Sequence, residues 1–178
     1  MDTRKFAMHY GAVLGLCLML IALLFWTLGV EEQQSVIPSI LNNVFIIGFL
    51  VYAIIQYRDN INHGSVSYSE SLKLGTSVAF FSSVIMAFYT LIYMTYLNPE
   101  MLADIMNMTE QAMLEADPEI SDEQLDLALS MTSKFMQPHW MMIMGVLGGT
   151  FTGFLYSLVI SIFVKKEIDI SENDFEKL

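Results

Sequence analysis

FMQPHWMMIMGVLGGTFTGFLYSLVISIFV, residues 135–164, runs for thirty residues without an Asp, Glu, Lys or Arg. A helix needs roughly 20 apolar residues to cross the hydrocarbon core of a bilayer. This stretch is long enough, and Lys134, Lys165 and Lys166 bound it on both sides. Only helices and closed barrels satisfy their backbone groups in lipid. A barrel strand alternates apolar and polar residues, and this run does not. It therefore reads as a membrane-spanning helix.

Three more charge-free runs lie upstream, at 6–30, 33–57 and 74–99, each of at least 25 residues. The expected spans are residues 10–30, 37–57, 73–97 and 139–164. The expected fold is all-α, a four-transmembrane-helix bundle forming one integral membrane domain over residues 1–178. Composition agrees. The chain is 54% hydrophobic and 15% charged, against about 25% charged for a soluble domain. Low charge and 12% aromatics exclude disorder. A net charge of −11 without a basic face excludes nucleic acid as a partner. One cysteine excludes a disulfide framework or a thiolate metal cluster.

The first run begins like a signal peptide, with Arg4 and Lys5 as its basic region. It is longer than a typical signal core, and no A-x-A site follows, so it is expected to be retained. Leu16 before Cys17 also argues against a lipoprotein site. With both termini in the cytoplasm, seven of the eight Lys and Arg residues lie inside, leaving Lys134 outside. The positive-inside rule selects that topology. Trp26, Tyr93, Tyr96 and Trp140 would then form the outer aromatic belt.

Residues 98–138 form the one sizeable loop, with nine acidic residues against Lys134. Two amphipathic helices are expected there, making an extracytoplasmic hairpin between spans 3 and 4. Asn98-Pro99 reads as a cap with proline at the first helical position. Leu102, Ile105, Met106, Met113 and Ala116 follow at helical spacing. Asp117-Pro118 interrupts, and Ser121-Asp122-Glu123-Gln124 has the form of a capping box. Leu125, Ala128, Leu129, Thr132, Phe135 and Met136 continue a second stripe. Such stripes most simply pack on each other and on the bundle rim. Lying on lipid fits poorly, because interfacial helices carry Lys and Arg on the polar face. Docking another protein would require an apolar stripe wider than the hairpin itself uses.

Small residues recur every fourth position in two spans. Gly145, Gly149, Gly153, Ser157 and Ser161 lie in the last; Ser71, Gly75, Ala79, Ser83 and Ala87 lie in the third. Gly11 and Gly15 add a pair in the first. Such ladders let helix backbones approach closely in lipid. They predict that the third and fourth spans pack on each other or on a second copy. A hinge or pore-lining groove at Gly148-Gly149 is the functional alternative.

Other motifs are weak. Fourteen methionines, several near His139, include a set whose thioethers suit copper(I). No repeated Met-x-x-Met array appears, and Met is also a flexible gap-filler. The acidic run from Asp117 lacks glycine at its sixth position, Asp122, and the bidentate Glu at its twelfth, Ala128, so it is no EF-hand. His9, His63 and His139 do not converge in the expected topology. No metal, cofactor or catalytic constellation is expected. Asn42 and Asn43 enter the second span from outside. Arg58 and Asp59 end it, and Glu70 and Lys73 stand three residues apart at the inner mouth of the third, where they can pair. These read as orienting and snorkelling residues, yet Asn42, Asn43, Arg58, Glu70 and Lys73 are the remaining functional candidates.

Several segments together resemble the bacterial membrane family called domain of unknown function 4199. They include Lys5-Phe6-Ala7 with Tyr10-Gly11, Tyr57-Arg58-Asp59, and Tyr68-Ser69-Glu70-Ser71-Leu72-Lys73-Leu74-Gly75. Tyr96-Leu97-Asn98-Pro99, Lys134-Phe135-Met136 and the 145–153 run complete the set. The resemblance implies four spans with an acidic helical insert before the last, and implies no activity. The expected role is a non-enzymatic structural or accessory subunit. Its partners are the bilayer and a protein or second copy, met through the hairpin or the ladders. The rival is a small oligomeric transporter or channel, with Asn42, Asn43 and Glu70 lining its groove.

Overall fold

The structure, a computed structural model, describes residues 2–29 and 36–166. Val30, the end of the first expected span, and Lys177, one of the seven inner bases, lie outside the described residues. Among the described residues six α-helices follow one another: α1 (Thr3–Thr27), α2 (Val36–Asn60), α3 (Tyr68–Ile92), α4 (Met101–Ala116), α5 (Asp122–Phe135) and α6 (Pro138–Val164). Four are long and apolar enough to cross a membrane: α1, α2, α6, and α3 with its extension to Leu97. Only 22–33% of the most apolar stretch of each is buried. Water would tolerate so much outward apolar surface poorly, whereas lipid solvates it.

Helix ends depart from the charge-free runs because polar residues also hold helix. Asp2 caps α1, accepting from the Arg4 amide, so the helix begins seven residues before the expected position 10. Ser67 caps α3: its hydroxyl accepts from the Glu70 amide, and the Glu70 carboxylate accepts from the Ser67 amide. This capping box starts α3 at Tyr68 rather than at 73. At its other end α3 loosens into a π-helical turn, Tyr93–Leu97.

The expected start of α4 is corrected. The Asn98 amide donates to the Tyr93 carbonyl, so Asn98 finishes the π turn and does not cap α4. Pro99 and Glu100 form a turn, and α4 starts at Met101 with no side-chain cap. α5 begins with the capping box of Ser121 and Gln124.

α3 is the centre of the bundle, flanked most extensively by α6 and α1, while α2 packs more lightly. Gly11 and Gly15 of α1 meet successively later residues of α3, so these helices run parallel. Gly75, Ala79 and Ser83 of α3 meet Ser157, Gly153 and Gly149 in that order, so α6 runs antiparallel. The core occupies the end where α1 and α3 begin and α2 and α6 finish. There Leu14, Leu50, Ile54, Leu74 and Val78 are almost fully enclosed. A backbone bridge between Val66 and Lys166 closes that end. The α2–α3 turn beside it carries positive φ at His63 (53°) and Gly64 (81°). Toward the opposite end burial falls off, and α6 buries no residue before Gly153.

Candidate functional site

Three regions contain the residues singled out in the sequence. The first is the α3–α6 seam. A Cβ built on Gly75 would lie 2.9 Å from the Ser157 Cβ, and one built on Gly149 would lie 3.1 Å from the Ser83 Cβ. Gly153 faces the Ala79 methyl just as tightly. The register is constant, each step of four on α3 answered by a step of four on α6. Gly11 and Gly15 do the same toward α3: their added Cβ atoms would meet the Phe81 Cβ at 2.6 Å and the Ile85 Cβ at 2.9 Å. Gly145 and Gly148 have nothing within 4 Å: Gly148 points about 100° round the helix from Gly149, and Gly145 lies one turn beyond the last contact with α3. The Ser83 hydroxyl donates to the Ala79 carbonyl at 2.7 Å. The Ser71, Ser157 and Ser161 hydroxyls are buried without a hydrogen-bond partner. Steric fit therefore holds this seam, not hydrogen bonding between the helices.

The second region lies between α2 and α6. The Tyr156 hydroxyl donates to the Asn43 side-chain carbonyl, while the Asn43 amide donates to the Ser39 carbonyl at 2.7 Å. Asn42 does not join them; its side-chain oxygen is buried with no hydrogen-bond partner. Tyr156 is a partner of Asn43 not expected from the sequence. Its only signal is a polar tip on an otherwise apolar helix.

The third region is the closed end. Arg58 holds Asp59 through two nitrogens, with Nε 2.7 Å from Oδ1 and Nη2 3.2 Å from Oδ2. Its Nη1 also donates to the Val164 carbonyl at 3.4 Å, satisfying an acceptor near the end of α6. The Thr3 hydroxyl and Tyr57 hydroxyl, 2.9 Å apart, tie α1 to α2. The expected Glu70–Lys73 pair does not form: the Glu70 carboxylate is committed to Ser67, at 3.0 Å from the amide and 2.9 Å from the hydroxyl. Among the described residues the one ion pair is Arg58–Asp59.

The α4–α5 insert has a different character. The two helices touch each other, and α5 makes slight contact with α6. No residue of either helix is buried. Leu125, Ala128, Leu129 and Thr132 are half-buried, whereas Leu127, Met131 and Phe135 form a second, outward row. That row, spaced by four, is a further apolar stripe beside the one expected at Leu125, Ala128 and Leu129. Met108 and Leu114 add exposed apolar surface on α4.

The model of the family described as "Protein of unknown function (DUF4199)" matches residues 9–166. No curated protein and no solved structure matches the chain. The match covers most of the sequence, and the chain belongs to that family.

Proposed function

We propose that this member of the DUF4199 family is a non-enzymatic accessory subunit of a bacterial inner-membrane assembly, with the α4–α5 insert as its docking surface. In this reading both termini lie in the cytoplasm and the insert projects beyond the opposite leaflet. One observation carries it: two helices with apolar rows bury none of their residues. Isolated helices of this length are marginal in water and gain most of their stability from packing. Leu127, Met131 and Phe135, all more than half exposed, are the natural place for a partner to supply it. Nine acids in residues 98–138 call for a partner with a basic rim. The experiment is a pull-down in mild detergent with the full chain and with residues 98–138 replaced by a short polar linker. A specific protein lost on replacement supports the reading; the same proteins with both chains refute it.

A second reading is a small oligomeric transporter or channel. Asn42 favours it, because its side-chain oxygen is buried within the second span without a hydrogen-bond partner. Reconstituted protein that passes ions or solutes, and loses that passage with Asn42→Leu, would select this reading over the first.

A further inference from the structure

At the closed end, a groove of about 440 Å³ opens between α1 and α2, lined by Phe6, His9, Tyr10, Gln56, Asn60 and Ile61. Its walls change character along the seam. The outer rim is polar: Asn60 donates to the Gln56 side-chain oxygen at 2.5 Å, which leaves the Gln56 amide nitrogen with both its donors. His9 stands exposed beside it, and Lys5 lies one helical turn earlier on the same exposed face. Toward the bundle centre the seam becomes aromatic. Phe6 stacks on Tyr10 at 4.2 Å between ring centroids, and Tyr10 meets Tyr52 at 6.1 Å and Phe49 at 6.2 Å. Phe45 continues the row at 6.2 Å from Phe49. Tyr52 is half-exposed, so the row is open to the surroundings rather than sealed by α1.

We infer that the α1–α2 seam binds one anionic phospholipid, its phosphate held by Lys5, His9 and Gln56 and its upper acyl chain lying along Tyr10, Tyr52 and Phe49. A lipid has the same order of polarity as this groove, charged at one end and apolar along its length. An extended protein segment would need partners for its own backbone groups, and the aromatic row offers few. A basic residue close to an anionic headgroup contributes attraction that a zwitterionic lipid does not match. The seam lies at the opposite end of the bundle from the α4–α5 insert, so lipid binding here and partner docking there stand or fall separately.

The test is native mass spectrometry of the purified full-length protein offered equal amounts of phosphatidylglycerol and phosphatidylcholine with matched chains. The wild type is expected to retain phosphatidylglycerol preferentially, and Lys5→Gln with His9→Gln to lower that preference about fivefold. Both positions are exposed, so the variant keeps the wild-type melting temperature. Lys165→Gln with Lys166→Gln removes charge from the same end without touching the groove and leaves the preference intact. Millimolar inorganic phosphate does not displace the lipid. Equal retention of the two lipids, equal loss in both double variants, or displacement by phosphate alone would overturn the inference.

Discussion

Ser157 of α6 occupies the space that any side chain on Gly75 of α3 would need: the hypothetical Cβ would lie 2.9 Å from the Ser157 Cβ. Both residues sit in the core at the closed end, and Ser157 is fully buried. Lipid tails are as apolar as leucine, so apolar burial gives helices little reason to associate in a bilayer. Close backbone approach, with its many dispersion contacts, takes over that role, and the Gly75, Gly149 and Gly153 contacts are where α3 and α6 achieve it.

Enlarging a glycine of this seam is therefore expected to cost stability, and enlarging one outside it is not. Gly75→Val and Gly153→Val should each destabilise the bundle by about 1–3 kcal/mol, the usual range for overpacking. Gly145→Val and Gly148→Val meet open space and should leave the melting temperature in mild detergent essentially unchanged. Equal losses at all four positions would dissociate the effect from the seam.

The register predicts a covalent link within one chain. A Cβ on Gly149 would be 3.1 Å from the Ser83 Cβ, near the roughly 3.5–4.5 Å of a disulfide. Ser83→Cys with Gly149→Cys, in a Cys17→Ala background, should oxidise to a species of monomer mass with altered gel mobility. A covalent dimer would show that the ladders pair two copies instead.

The closed end contains a capping box where the sequence offered an ion pair. Ser67→Ala and Glu70→Ala should each cost about 1 kcal/mol, as losses of N-terminal caps do. Lys73→Gln should cost almost nothing, because Glu70 spends its carboxylate on Ser67. Thermal melts of the three variants distinguish the cap from the pair.

Ser161 gives a prediction of the opposite sign. Its hydroxyl is buried without a hydrogen-bond partner, a state that costs about 1–3 kcal/mol. Ser161→Ala removes the unmet group while keeping a small side chain at the helix contact. The variant should melt at the wild-type temperature or above it; a clear drop would mean that the hydroxyl is satisfied in solution.

Much of this architecture is legible in the sequence because lipid imposes simple rules. Four charge-free runs locate four long helices, and four-residue spacing locates the faces that α3 and α6 share. Helix starts are less legible. Thr3, Arg4 and Lys5 of α1 and Tyr68 to Leu72 of α3 are helical through capping by Asp2 and Ser67, and hydropathy does not register a cap. Asn98 misleads because an Asn-Pro pair suits both the end of one helix and the start of another; the hydrogen bond to Tyr93 decides it. The link between Asn43 and Tyr156 spans 113 residues, beyond the reach of local spacing. The row Leu127, Met131 and Phe135 is within reach, but the neighbouring stripe at Leu125 and Leu129 explains a helix well enough to hide it.

The proposal of a docking surface on α4 and α5 is tested most directly by site-specific photo-crosslinking in native membranes. A photoreactive side chain placed at Met108, Leu127 or Met131 samples the exposed apolar surface, and one at Gln111 or Asp126 samples exposed polar positions of the same two helices. The account predicts a discrete adduct of higher mass with one protein from the apolar positions and none from the polar pair. Adducts with lipid alone, or monomer mass at every position, would contradict it.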